Sequence, residues 1–299
     1  MSEGSTFRDM IEKGGKFEPE IGRYHLYVSY SCPYAARTLI TRKLKGLESV
    51  VDATVVGPHY DLKLAWPFAG PDPFPGTDRD PLFDSNYLRE IYLKAFPDYA
   101  GRFSVPVLWD KKLATIANND SGDIIRIFNS AFNHLLPQQY CEVDLYPATS
   151  RKEIDEINAW VFDMLNHGVY KAAFAKSQNE YESAAQKVFE ALDRVEKILS
   201  TQKFLVGDQL TEADVRLWAT AIRFDVVYFG GAFRCNVRRI RDGYPAIHLW
   251  MRKLYWENEA FKAVTRFDHI KITYHGVSPV GLSFVLQVQR LTGIIRLTL

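Results

Sequence analysis

Along the first 130 residues, short apolar runs alternate with stretches of helical period. Tyr24-His25-Leu26-Tyr27-Val28-Ser29-Tyr30 is rich in β-formers and predicts a strand that stops at Cys32-Pro33. Ala35 to Lys45 predicts a helix, with Gly46 standing where helices tend to end. Val50 to Val56 predicts a second strand. Residues 57–80 read as loop, carrying His59, Trp66-Pro67-Phe68 and the run Gly70-Pro71-Asp72-Pro73-Phe74-Pro75-Gly76. A helix is expected from about Ser85 to Phe96. Ser104 to Asp110 then predicts a strand, Lys112 to Ile116 its hairpin partner, and Asp120-Ser121 opens another helix. Proline inside a strand argues against a strand. It is tolerated here if Val105–Pro106 is a cis peptide at the strand's start.

From Thr149 onward the period is helical throughout. Ile154, Ile157, Trp160, Val161 and Leu165 recur at helix spacing, as do Val188, Leu192, Val195 and Leu199. Thr211-Glu212-Ala213-Asp214 has the form of a capping box, with Leu217, Ala221 and Phe224 continuing its helix. A further helix is expected from Tyr244 to Asn258. The first half therefore has the β-α-β…β-β-α order of a thioredoxin-like unit, and the second is all-helical. The fold class is α+β. The units are expected at residues 1–136, with an N-terminal extension, and 148–275, joined through Leu136–Thr149. Residues 276–299 form a tail that alternates like a strand and has no helix caps.

Composition narrows the chemistry. Hydrophobic residues at 47% and charged residues at 24% are ordinary for a soluble globular chain. The net charge of +1 gives no reason to expect nucleic acid or an anionic membrane as partner. No apolar run approaches the roughly 18 residues of a membrane helix, and the N-terminus reads as neither a signal nor a transit peptide. Three widely spaced cysteines argue against a disulfide framework and for a reducing, cytoplasmic setting, and none has metal-ligand spacing. Aromatics are the outlier at 14%, leaving many phenols available to a site for flat ligands.

The candidate chemistry centres on Ser31-Cys32-Pro33-Tyr34-Ala35. Strand, cysteine, helix places a thiol where unpaired N–H groups and the helix dipole stabilise a thiolate, so its pKa is expected to fall toward neutrality. Position 35 is alanine, so an external thiol must resolve any mixed disulfide. Cys32 read alone is a small buried hydrophobe; the strand before it, Pro33 after it and the later Val105-Pro106 reverse that preference. Cys141 and Cys235 lack such a setting and read as structural. Asp120-Ser121 suits a charged amino-acid head group, although helix capping alone explains the pair. The backbone at Val105 offers peptide-like pairing. Trp66 and Arg102 are placed to cover the other end of a small peptide such as γ-glutamyl-cysteinyl-glycine.

Residues 23–35, 37–40, 101–110, 124–129, 168–175, 210–217 and 267–271, taken in order, resemble the glutathionyl-hydroquinone reductases, the Xi class of glutathione transferases. The resemblance spans about residues 5–275 and is nearest to fungal members. It implies a thioredoxin-like domain, a helical domain, a homodimer and glutathione as co-substrate, with no metal. It also implies Cys32 as nucleophile, Tyr170 as proton donor, and Tyr228 and Tyr274 beside the thiolate. Trp66, Arg102, Phe103, Ser104, Val105, Asp120 and Ser121 would hold glutathione. The chain departs from the family at Tyr34, where tryptophan is usual, at Asp120-Ser121-Gly122 in place of Glu-Ser-Ser, and in the tail. The same cysteine would also serve an omega-like thioltransferase or dehydroascorbate reductase, or sit unused in a protein that only binds glutathione or aromatics.

Overall fold

The computed structural model describes residues 7–276. The first unit runs β1 (Tyr24–Val28), α1 (Pro33–Leu44), β2 (Asp52–Val55), α2 (Leu88–Ala95), β3 (Val107–Asp110), β4 (Thr115–Asn118) and α3 (Ser121–Ser130). Its four strands lie in the order β2-β1-β3-β4, with β1 parallel to β2 and both β1–β3 and β3–β4 antiparallel. This is the thioredoxin-like arrangement, and the expected fold class holds. Every residue of β1 and β3 is buried, because helices cover both faces of so small a sheet.

The strand expected at Ser104 begins instead at Val107. Val105–Pro106 is a cis peptide just outside it, where the missing N–H removes no ladder bond. The second strand is shorter than its apolar run, since residues 47–49 form a 3₁₀ turn beneath it. Gly46 lies just beyond α1 with φ of 61°, as its place after the last helical period implied.

After the short helix α4 (Gln138–Cys141), the second unit comprises α5 (Arg151–Val161), α6 (Gly168–Ala173), α7 (Gln178–Leu199), α8 (Glu212–Arg223), α9 (Ile240–Gly243), α10 (Pro245–Glu257), α11 (Glu259–Lys262) and α12 (Phe267–Gly276). Helix α8 opens with the expected capping box. The Thr211 N–H donates to Asp214 Oδ2 at 3.1 Å while threonine caps the helix in return. Two helices change pitch where simple continuation was expected. Phe162–Asn166 after α5 and Phe224–Tyr228 after α8 are π-helical turns, a form that concentrates at functional positions. The units meet along α1, which packs on α3 behind and on α8 and α11 in front. Among the described residues no helix is long and apolar enough to cross a membrane. The tail expectation lies, from residue 277 on, outside the described residues.

Candidate active site

Strand β1 delivers the chain to the mouth of α1. Cys32 is the N-cap residue, in extended conformation with φ of −77° and ψ of 121°, and Pro33 takes the first helical position, where a missing N–H removes no helical bond. The loop before it is stiffened by the Ser29 and Ser31 hydroxyls, 2.7 Å apart. Cys32 is half-buried, and its Sγ lies 3.7 Å from the Val105 carbonyl, across the turn carrying the cis proline.

The sulfur's electrostatics correct the sequence expectation. Burial pushes the Cys32 thiol above its ordinary range rather than toward neutrality. The opposing influences are those foreseen, namely the amides of Ala35 and Tyr34, together with Arg223 and Arg37, which were not. No capping bond of ordinary length closes on the side chain. The helix mouth acts with the expected sign, but desolvation of the enclosed sulfur outweighs it.

Opposite the cysteine, three phenols from three segments converge. Tyr170 (α6) and Tyr274 (α12) share a hydroxyl contact of 2.7 Å, Tyr170 and Tyr228 one of 3.3 Å, and Tyr228 and Tyr274 one of 3.5 Å. Phe233 packs edge-on or tilted against each of the three rings, and Tyr34 faces Tyr170 with centroids 6.5 Å apart. Burial raises Tyr170 and Tyr274 well above the ordinary phenol range, and raises Tyr228 as well. Cys32 and the Tyr228 and Tyr274 hydroxyls feel one another's charge. All three phenols are therefore proton donors at neutral pH and none is a base.

The residues nominated for glutathione come from three segments, the loop before α2, the loop before β3 and the start of α3, and of these Val105 reaches Cys32. Phe103 packs on Tyr92 and Tyr99, and the Ser104 carbonyl accepts from the Tyr92 hydroxyl at 2.7 Å, which leads the chain into Val105 next to the sulfur. Arg102 is exposed at the rim, and its charge is felt by Tyr60, which stacks edge-on against Trp66 with centroids 5.0 Å apart. Asp120 is the N-cap of α3. Its Oδ1 accepts from Gly122 N at 2.8 Å and Asp123 N at 3.0 Å, next to the buried Ser121. The acid thus turns onto its own helix and caps it. Gly122 fits this arrangement, because a Cβ there would approach Asp120 Oδ1 to 3.0 Å and Arg216 Nη2 to 3.1 Å.

Sequence reasoning missed Arg223 and Arg37, since an arginine inside an amphipathic helix carries no signal of burial. Cys235 is buried, its thiol pushed up to about 12 by desolvation, and Cys141 Sγ donates to the Asn133 carbonyl at 2.9 Å. Both suit packing roles. Among the described residues no cluster of His, Cys, Asp or Glu gathers at metal-binding distance.

A thioredoxin-like sheet, a cysteine at the N-terminus of its first helix, a cis proline opposite and a helical unit packed on that helix define a glutathione transferase fold. Family comparison agrees: the glutathione S-transferase N-terminal domain matches residues 31–131 and the C-terminal domain matches 178–253. Among curated proteins, glutathione S-transferase omega-like 2 of Schizosaccharomyces pombe is 48% identical, over 93% of this chain and 90% of its own length. Glutathionyl-hydroquinone reductase YqjG of Escherichia coli is 46% identical over 90% and 80%, and its glutathione-bound structure superposes with a TM-score of 0.85. Glutathione transferase Xi 1 of Trametes versicolor is 58% identical, covering 92% of this chain and 94% of its own, with a TM-score of 0.90. The chain belongs to the Xi class of glutathione transferases, the family of the glutathionyl-hydroquinone reductases.

Proposed function

We propose that the protein reduces S-glutathionyl-hydroquinones through a mixed disulfide on Cys32. The carrying observation is the set of three neutral phenols facing a half-buried monothiol cysteine at a helix N-terminus. The Cys32 thiolate attacks the sulfur of the substrate thioether. The new S–S bond forms as the aryl C–S bond breaks, and the electron pair left on the aryl carbon takes a proton from Tyr170. Tyr228 and Tyr274 hydrogen-bond that phenol and return its proton from solvent. A second glutathione then attacks the glutathionyl sulfur of the mixed disulfide, yielding glutathione disulfide and restoring Cys32. The sum is glutathionyl-hydroquinone plus glutathione giving hydroquinone plus glutathione disulfide.

In this reading residues 1–136 hold glutathione through Trp66, Arg102 to Val105, Asp120 and Ser121, while residues 148–275 supply the quinol pocket. The name of the Escherichia coli relative and its bound glutathione support the substrate class. The three free thiols support a reducing, cytoplasmic compartment, and the family resemblance carries the homodimer. Incubation with a glutathionyl-quinol should leave one glutathione adduct on Cys32 by peptide mass spectrometry. Cys32→Ser should abolish quinol release, and a serine variant retaining its rate sinks the mechanism.

A second reading, an omega-like thioltransferase, shares the cysteine but has no use for a proton donor to carbon. It predicts faster turnover of a mixed-disulfide substrate than of a glutathionyl-quinol.

A further inference from the structure

At the junction of the two units, Arg223 ends α8 and reaches back into the loop that carries the sulfur. Its Nε donates to the Ser31 carbonyl at 3.0 Å and its Nη2 to the Tyr30 carbonyl at 2.8 Å, while Nη1 donates to Ala219 in its own helix at 2.5 Å. The side chain is 1% exposed, and among the described residues no carboxylate lies within ion-pair distance of it. Buried guanidinium groups ordinarily sit against an acid, because leaving one without a counter-charge is costly. Here carbonyl dipoles satisfy the donors but cancel no net charge, so the positive field persists in a low-dielectric seam. The chain passes directly from Arg223 into the π-helical turn that ends at Tyr228. One residue therefore links the nucleophile's loop to the phenol cluster.

We propose that Arg223 is a positioning residue for the thiol chemistry, clamping the Tyr30 and Ser31 carbonyls so that Cys32 stays at the mouth of α1 opposite Tyr228, and supplying the positive charge that favours its thiolate. This rests on Cys32 being the nucleophile and adds what holds and tunes it. The groups facing the sulfur are few. From α1 come the Ala35 and Tyr34 amides, the Tyr34 phenol and Arg37; from the cis-proline turn comes the Val105 carbonyl; from the second unit come Arg223, Tyr228 and Tyr274. The phenols are neutral near pH 7, so among the described residues the charges facing the sulfur are two cations. Arg37, 2% exposed, stacks over Tyr34 at 4.7 Å, and its Nε and Nη2 have no hydrogen-bond partner among the described residues. It adds charge from behind but holds no part of the loop. Arg223 also pulls the Tyr228 and Tyr274 hydroxyls down against the burial that raises them, which makes both better donors.

The test is the pH dependence of iodoacetamide alkylation of the full chain, read at the Cys32 peptide by mass spectrometry so that Cys141 and Cys235 do not contribute. Arg223→Met should move the profile up by about one pH unit, making alkylation at pH 7 about tenfold slower. Arg223→Lys keeps the charge but loses the forked grip. Its profile should stay within a few tenths of a unit of wild type while kcat with a glutathionyl-quinol falls about tenfold. A folded methionine variant with the wild-type profile overturns the electrostatic part. Should methionine prevent folding, the lysine variant decides: wild-type turnover overturns the clamp, and a move of a full pH unit overturns the role of charge. Alkylation needs no quinol, so a wild-type protein that alkylates at Cys32 but turns over no quinol would break the functional reading, while the shift in the methionine variant would still decide the electrostatic part.

Discussion

At the scale of single residues, the proposed reaction needs one group that ionises, Cys32, beside groups that keep their protons. Cys32 meets burial that disfavours its thiolate, offset by helix amides and two cations; the phenols meet the same burial with little to offset it. A thiol pushed up by burial is mostly neutral at pH 7. The alkylation rate of the ligand-free protein should therefore keep climbing with pH through and beyond the usual thiol range of about 8.5; a plateau by pH 7 would show the offsets winning. Tyr170 has the shortest contact in its cluster, so Tyr170→Phe removes both the donor and its hold on Tyr274. We expect kcat for a glutathionyl-quinol to fall by about 10²-fold or more, the usual size for general acid catalysis, with Cys32 alkylation unchanged. A loss below threefold would place the acid elsewhere.

At the scale of elements, α8 does more than fill core. Its first turn is fixed by Asp214, which accepts from Leu205 N and Trp250 Nε1 through Oδ1 and from Thr211 through Oδ2. Burial pushes this carboxyl up to about 6 despite those donors. An acid whose folded pKa exceeds its unfolded one binds more protons folded, so its contribution to stability is complete below about 4 and fades as pH rises through about 6. A rise of that size corresponds to about 3 kcal/mol. Urea midpoints measured from pH 4 to 7 should carry this downward component, and Asp214→Asn should remove it while lowering stability overall. An unchanged slope in the variant would contradict the assignment. The far end of α8 shows where local pattern stops. Leu217, Ala221 and Phe224 continue the helical period, yet the backbone changes to π pitch at Phe224, and that change is what sets Tyr228 in the cluster.

At the scale of the molecule, Cys32 and the phenol cluster face each other only while the two units stay docked. Glu212, 2% exposed at the start of α8, accepts from Arg126 of α3 at 2.9 Å and from Asn158 at 2.8 Å, and pairs with Arg216 at 3.0 Å. Arg126 also pairs with Asp155 of α5. Glu212→Ala leaves two arginines facing each other across the seam. It should cost about 1–3 kcal/mol, the size expected when buried donors lose their acceptor, because Arg126 is partly exposed and keeps Asp155. Thermal unfolding should show a lower midpoint, with Glu212→Gln recovering part of it; a change under about 2 °C would mean the Glu212 network contributes little to holding the units together.

The sequence by itself determined the order of elements in the first unit, the α+β class, the capping box at Thr211, the turn at Gly46 and the cysteine at the mouth of α1. These are local matters: apolar period, glycine's tolerance of positive φ and proline's missing N–H act within a few residues. The tertiary structure decided what surrounds the sulfur. Whether a thiol ionises depends on how far water is excluded and which charges approach, and both are set by a second unit far along the chain, where Arg223 meets Ser31 across 192 residues. Asp120 is a local case: its role as cap of α3 was legible, and its Oδ1 accepts from Gly122 N and Asp123 N. Electrostatics acts through space, so long-range contacts set the sulfur's ionisation while local pattern set its backbone.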